Sequence, residues 1–85
     1  MNFYELPCLD RRKSFYGKAY VIEADGQKIL RSYETNVCRI DSDGSFHRLW
    51  SGYSATTMRH IDSFRKLNGL PMIGKAGWDK LELED

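Results

Sequence analysis

Two Asp-Gly dipeptides, Asp25-Gly26 and Asp43-Gly44, constrain this chain more than any other feature. A tight hairpin turn needs positive φ at its central residues, and Asp-Gly adopts that conformation at little cost. Two such turns so close together imply antiparallel pairing, because parallel strands need a long crossover between them. The flanking residues fit this. Residues 18–24, Lys-Ala-Tyr-Val-Ile-Glu-Ala, favour strand, and Gln27 to Tyr33 continues beyond the first turn. Glu34-Thr35-Asn36 is a short connection, Val37 to Asp41 a third strand, and Phe46 to Trp50 a fourth. The expectation is a four-stranded antiparallel meander over residues 18–50.

A helix follows, with signals at both ends. Ser54 is a good N-cap, and Tyr53 and Met58 occupy the two positions of a hydrophobic staple. Gly69 stands at the left-handed position past the end, Leu70 is placed to touch Phe64, and Pro71 blocks continuation. The spacing predicts a helix from Ala55 to Leu67. At 100° per residue, Thr57, His60, Ile61, Phe64 and Leu67 share one arc. Arg59, Asp62, Ser63 and Lys66 share the other. The reading is therefore an α+β fold, a four-stranded meander with one helix on one face. Residues 1–14 form an N-terminal arm in the same domain. The basic knot Asp10-Arg11-Arg12-Lys13 in that arm reads as a solvated tail or as a phosphate contact. Residues 70–85 form an irregular return with one helical turn and Trp78 packed on the domain.

Turn length fixes register, and register fixes which side chains share a face. With Asp25-Gly26 as a two-residue turn, Tyr20 faces Arg31 and Ile22 faces Ile29. With Asp43-Gly44 as the turn, Arg39 faces Arg48 and Val37 faces Trp50. With Glu34-Thr35-Asn36 as a three-residue loop, Arg31 faces Arg39. One cross-strand row then reads Tyr20, Arg31, Arg39, Arg48, flanked by Tyr33 and Trp50. The opposite face reads Ala19, Val21, Leu30, Ser32, Cys38, Ile40, His47 and Leu49, and is the face on which the helix lies. Like charges directly opposed across strands destabilise a sheet. The row is offset either by Asp41, the acids Glu82, Glu84 and Asp85, and solvation, or by an anionic ligand.

Composition narrows the function. The chain has 85 residues, 41% of them hydrophobic and 29% charged, with a formal net charge of +1. A near-neutral chain has no global field to draw it onto nucleic acid, so any anion binding rests on a local patch. No apolar run reaches the roughly 20 residues of a membrane span. The N-terminus lacks the layout of a signal peptide, so a cytoplasmic location is expected. Cys8 and Cys38 read as reduced thiols, and the spacings of Cys8, Cys38, His47 and His60 match no zinc pattern. No cofactor is expected.

Two motifs fail on chemistry. Gly69-Leu70-Pro71-Met72-Ile73-Gly74-Lys75-Ala76 has the glycine and lysine spacing of a P-loop. It ends in Ala76 instead of a magnesium-binding hydroxyl, and it follows a helix rather than a strand. Ser54, Thr57 and His60 resemble a nucleophile and base, but Ser54 is committed as a cap and no acid is placed to orient His60. His60 reads as a hydrogen-bonded histidine holding the strand–helix junction. Trp50 and Trp78 read as core fillers before ligand platforms. No enzymatic activity is expected.

The run Trp50-Ser51-Gly52-Tyr53-Ser54-Ala55-Thr56-Thr57-Met58-Arg59-His60-Ile61, followed by Phe64 and Gly74-Lys75-Ala76-Gly77-Trp78-Asp79-Lys80-Leu81, resembles short uncharacterised proteins of phages and other bacterial mobile elements. Tyr33-Glu34-Thr35 and Asp43-Gly44 extend the likeness over roughly residues 18 to 81. The resemblance implies a small accessory gene and supplies no catalytic residue. Architecturally, a sheet backed by one helix with arginines on its open face is similar to the AP2-type and integrase arm-type DNA readers. The leading expectation is a non-enzymatic binding module whose open sheet face contacts an anionic partner, nucleic acid foremost, through Arg31, Arg39, Arg48, Tyr33 and Trp50. The alternative is an inhibitor of a host defence nuclease, such as an anti-CRISPR, with Asp79, Glu82, Glu84 and Asp85 imitating nucleic acid. A second alternative is a homo-oligomer joined through the aromatic sheet face.

Overall fold

The computed structural model describes residues 1–8 and 17–83. They form β1 (Asn2–Glu5), β2 (Ala19–Ala24), β3 (Gln27–Ser32), β4 (Thr35–Ile40), β5 (Phe46–Arg48), α1 (Ala55–Leu67) and α2 (Gly74–Asp79). The strands pair antiparallel in the order β1-β2-β3-β4-β5. The α+β fold and its antiparallel meander match the sequence reading, but the sheet has five strands rather than four and a second, short helix follows the first. The extra strand lies in the segment read as an arm. Tyr4 and Leu6 point inward, and Tyr4 and Asn2 both donate side-chain hydrogen bonds to Glu23, at 3.0 and 3.3 Å. Arg11, Arg12 and Lys13, and at the other end Glu84 and Asp85, lie outside the described residues, as do the readings that fall on them.

The three later hairpins follow the expected registers to different degrees. Asp25 and Gly26 have φ of 55° and 78°, the signature of a type I′ turn, and Tyr20 faces Arg31 as expected. The next two turns each differ from the reading. β3 and β4 join through Tyr33-Glu34 alone, so Ser32 faces Thr35 and Arg31 faces Asn36. Val37 is then an extra residue that shifts the register, after which Ile29 faces Arg39. Asp43-Gly44 is part of a three-residue loop, Ser42-Asp43-Gly44. Asp41 N–H donates to Ser45 C=O and Gly44 N–H donates to Asp41 C=O, both at 2.9 Å. This matches a tight turn followed by a left-handed residue, a role that Gly44 fills at φ 89°. One added residue moves every side chain of β5 to the opposite face. Arg39 thus faces His47, and Arg48 faces Cys38.

The inner face carries the core. Ala19, Val21, Leu30, Cys38 and Ile40 are buried against Met58, Ile61 and Phe64 of α1 and against Trp78 of α2. Leu6 joins them from the end of β1. Six of the eight residues expected inside are there, while His47 and Leu49 follow the β5 slip. Burial holds the Cys38 thiol well above its ordinary pKa, so it stays protonated. No disulfide joins it to Cys8.

The helix α1 has the predicted bounds. Thr57 N–H donates to Ser54 Oγ at 3.0 Å, closing the N-cap. At the other end Leu70 N–H donates to Arg65 C=O and Gly69 N–H to Lys66 C=O. These are the two bonds of a Schellman motif. Its buried stripe is wider than the periodicity implies, because α1 is covered on two sides. Ser63 and Arg65 are buried, whereas Leu67 is exposed. Asp62, assigned to the solvent arc, accepts from Ile73 N–H at 2.9 Å and Gly74 N–H at 3.4 Å, and so caps the start of α2. No described helix is long and apolar enough to cross a membrane.

Candidate partner-binding surface

Both helices lie on the inner face, which leaves the outer face of the sheet as the candidate surface. Its central cross-strand row is Phe3, Ile22, Ile29, Arg39, His47, one residue from each strand. The next row is Glu5, Tyr20, Arg31, Asn36. Phe3 stacks on Tyr20 with ring centroids 4.9 Å apart and planes 11° apart. The surface is thus an apolar strip from the β1 edge to mid-sheet, ending in a polar cluster.

Asp41 organises that cluster. Its Oδ1 accepts from Arg39 Nε at 2.7 Å and from Gln27 Nε2 at 3.2 Å, and its Oδ2 lies 2.8 Å from His47 Nε2. The Arg39 hydrogen bond, more than any other neighbour, holds the Asp41 carboxyl below its ordinary value of 3.8. A carboxylate with a depressed folded-state pKa contributes stability above its unfolded-state pKa and loses it as pH falls through the folded value. Asp41→Asn is therefore expected to lower unfolding free energy at about pH 7 and to make a smaller difference at about pH 2, toward which the wild-type carboxyl gains its proton. Urea titrations of both proteins at the two pH values check this.

The five residues expected to form a binding row do not come together. Arg31 and Arg39 remain on the outer face, in neighbouring rows. Arg31 has no side-chain hydrogen bond or ion pair among the described residues, whereas Arg39 is held by Asp41. Arg48 points the other way. Its Nε donates to Trp50 C=O at 2.8 Å, its Nη2 to Ser51 C=O at 2.8 Å, and its Nη1 to Trp78 C=O at 3.0 Å and Leu81 C=O at 3.4 Å. The guanidinium also lies 4.6 Å from the centroid of the Trp78 ring. It ties the C-terminal return to the sheet. Trp50 packs against the core at the same junction, pressed on Gly52, where a Cβ would fall 2.6 Å from Trp50 Cε2. That contact needs glycine.

Tyr33 sits at the tip of the β3–β4 turn with φ 56°, a conformation that costs an L-residue roughly 1–2 kcal/mol. The residue is 50% exposed, and its ring lies 5.9 Å from the His60 ring and 5.9 Å from Lys18 Nζ. Tyr33→Gly is expected to stabilise the fold by roughly 0.5–1 kcal/mol, the relieved backbone cost less the extra freedom of glycine in the unfolded chain. A lower melting temperature in the variant would mean that the ring contacts outweigh the strain.

Beneath Tyr33, Ser32 Oγ lies 2.8 Å from His60 Nδ1 and 3.1 Å from Thr57 Oγ1. All three side chains are buried, at 2%, 1% and 4% exposure. Sequence reasoning placed Thr57 and His60 on the core arc of the helix. It missed Ser32 as their partner, since only tertiary packing brings β3 to α1. Among the described residues no group of three His, Cys, Asp or Glu side chains gathers where it could hold a metal.

Of the known protein families, one described only as a family of unknown function, DUF8033, matches residues 4–80 of this chain. No curated protein and no solved structure matches it.

Proposed function

We propose that this chain, which belongs to the DUF8033 family of unknown function, is a non-enzymatic binding module that docks a protein partner on the open face of its sheet. The row Phe3, Ile22, Ile29, Arg39, His47 carries this reading. Aromatic and aliphatic side chains beside arginine, with little net charge, make a surface of the kind that protein interfaces use. A nucleic-acid surface needs several unneutralised cations. Here Arg48 is spent on main-chain carbonyls and Arg39 is held by Asp41, which leaves Arg31. The non-catalytic part of the reading rests on Ser32, Thr57 and His60, whose burial keeps substrate from them.

The likeness to phage and mobile-element proteins makes a host protein, such as a defence nuclease, the first partner class to test. Tagged wild type and an Ile29→Glu variant, both checked for folding, would be used to capture proteins from host extract. In parallel, single- and double-stranded oligonucleotides would be titrated at two salt concentrations. The expected result is a stoichiometric protein partner that Ile29→Glu loses, and no oligonucleotide binding at low salt. Salt-sensitive oligonucleotide binding that Arg31→Glu abolishes would overturn the protein reading and return the nucleic-acid one.

A further inference from the structure

Among the described residues, β1 is an open edge of the sheet. Leu6 N–H donates to Ala19 C=O at 2.9 Å, which makes Leu6 and Ala19 a hydrogen-bonded pair. Such pairs alternate along an antiparallel ladder, so Tyr4 and Asn2 also turn their main-chain groups toward β2. Phe3 and Glu5 turn theirs outward, where no strand lies beyond them among the described residues. The opposite edge is partly covered, because Leu83 bridges to Arg48 in parallel. Soluble proteins blunt open edges with lysine, proline or a bulge. Asn2–Glu5 is short and carries one charge, Glu5, but it holds no lysine, proline or bulge, and its register with β2 is unbroken.

The geometry points to β1 as a homodimer edge: two copies pair β1 to β1, antiparallel, about a two-fold axis at Phe3, which joins their sheets into one. In this register Phe3 of each copy exchanges both main-chain hydrogen bonds with Phe3 of the other, which satisfies the outward groups. The apolar row then runs unbroken across the axis, as Ile29, Ile22, Phe3 and then Phe3, Ile22, Ile29 of the second copy. Phe3, 60% exposed in the single chain, lies at the cut end of that row. Charge permits the pairing, since Asn2, Phe3 and Tyr4 carry none and each Glu5 falls opposite Met1 of the other copy. The register about Phe3 pairs uncharged residues and continues one apolar row on both sides of the axis, which fits a second copy of this chain. The contact is small, so the association is weak and concentration-dependent.

Sedimentation velocity over a concentration series tests it, with Phe3→Lys as the edge-blocking variant and circular dichroism as the check on folding. The expected result is a reversible dimer whose dissociation constant rises at least about ten-fold in Phe3→Lys while the spectrum is unchanged. Oxidation of single-cysteine additions fixes the register against the unsubstituted chain as baseline. Opposed residues of a hydrogen-bonded pair lie within disulfide reach, so Phe3→Cys cross-links and Glu5→Cys does not. A monomer at every concentration overturns the proposal. So does a dimer indifferent to Phe3→Lys, which would be joined away from the β1 edge, and so does equal cross-linking of the two cysteine variants.

Discussion

Trp78→Ala is expected to cost about 3–5 kcal/mol, the usual loss when a fully buried tryptophan is truncated. Trp78 is the largest fully buried side chain of the described chain, with no exposed surface. It does three things at once. Its ring fills the core between α1 and the sheet. Its Nε1–H donates to Gly52 C=O at 2.9 Å, which fixes the strand–helix junction. It also forms the surface on which Arg48 lies. A small domain has roughly 5–15 kcal/mol in all, so the variant sits near the edge of folding. Trp78→Phe keeps much of the apolar area and leaves the Gly52 carbonyl without its donor. It should fall between alanine and wild type in urea-denaturation midpoint. A midpoint for Trp78→Ala within experimental error of wild type would mean that the C-terminal return contributes nothing to the fold.

Arg48→Lys is expected to destabilise by about 2–4 kcal/mol, although it keeps the charge. A hydrogen bond to a charged group contributes roughly 1.5–3 kcal/mol and stacking on an aromatic ring roughly 0.5–2. Arg48 donates to four main-chain carbonyls, those of Trp50, Ser51, Trp78 and Leu81. An ammonium is a point donor without the planar fork that spans those carbonyls. Because Arg48 and Trp78 share one contact, the double variant should lose less than the two single losses added together, by roughly 0.5–3 kcal/mol. Equilibrium unfolding of the four proteins in the cycle measures this. If Arg48→Lys keeps wild-type stability, the side chain does not anchor the return and is again available to a partner.

The two proposed surfaces share the row Phe3, Ile22, Ile29 and are separated by place along it. Phe3→Lys tests the β1 edge, and Ile29→Glu, in mid-sheet, tests the open face. If both hold, the dimer presents two open faces side by side on one sheet, doubling the docking surface for a symmetric or repeated partner.

Much of the fold was legible because its signals are local. Asp25-Gly26 sets its own φ angles, and Ser54, Gly69 and Pro71 set the ends of α1 by capping and steric rules that act within a few residues. Alternation along Val21-Ile22, and along Leu30 and Ser32, chose the core face. The missed first strand had a signal too, in the inward alternation of Tyr4 and Leu6 against outward Phe3 and Glu5. It was outweighed by its distance in sequence from the strand it pairs with. The binding row was not legible. It depended on the lengths of two loops, and each was off by one residue in opposite senses: a three-residue connection proved to be two, and a two-residue turn proved to be three.

The sequence by itself determined the antiparallel meander, the helix with its bounds, and the inner faces of three strands, because turn chemistry, capping and side-chain alternation are properties of neighbours in the chain. Tertiary structure alone decided where Arg48 points, that Asp62 caps α2, and that Ser32 meets Thr57 and His60. The physical reason is the period of a strand. With side chains alternating every residue, a single extra residue at Val37 or in the Ser42-Asp43-Gly44 loop exchanges inside for outside. Packing against Trp78 and the main-chain carbonyls of the return selects which of the two registers is stable.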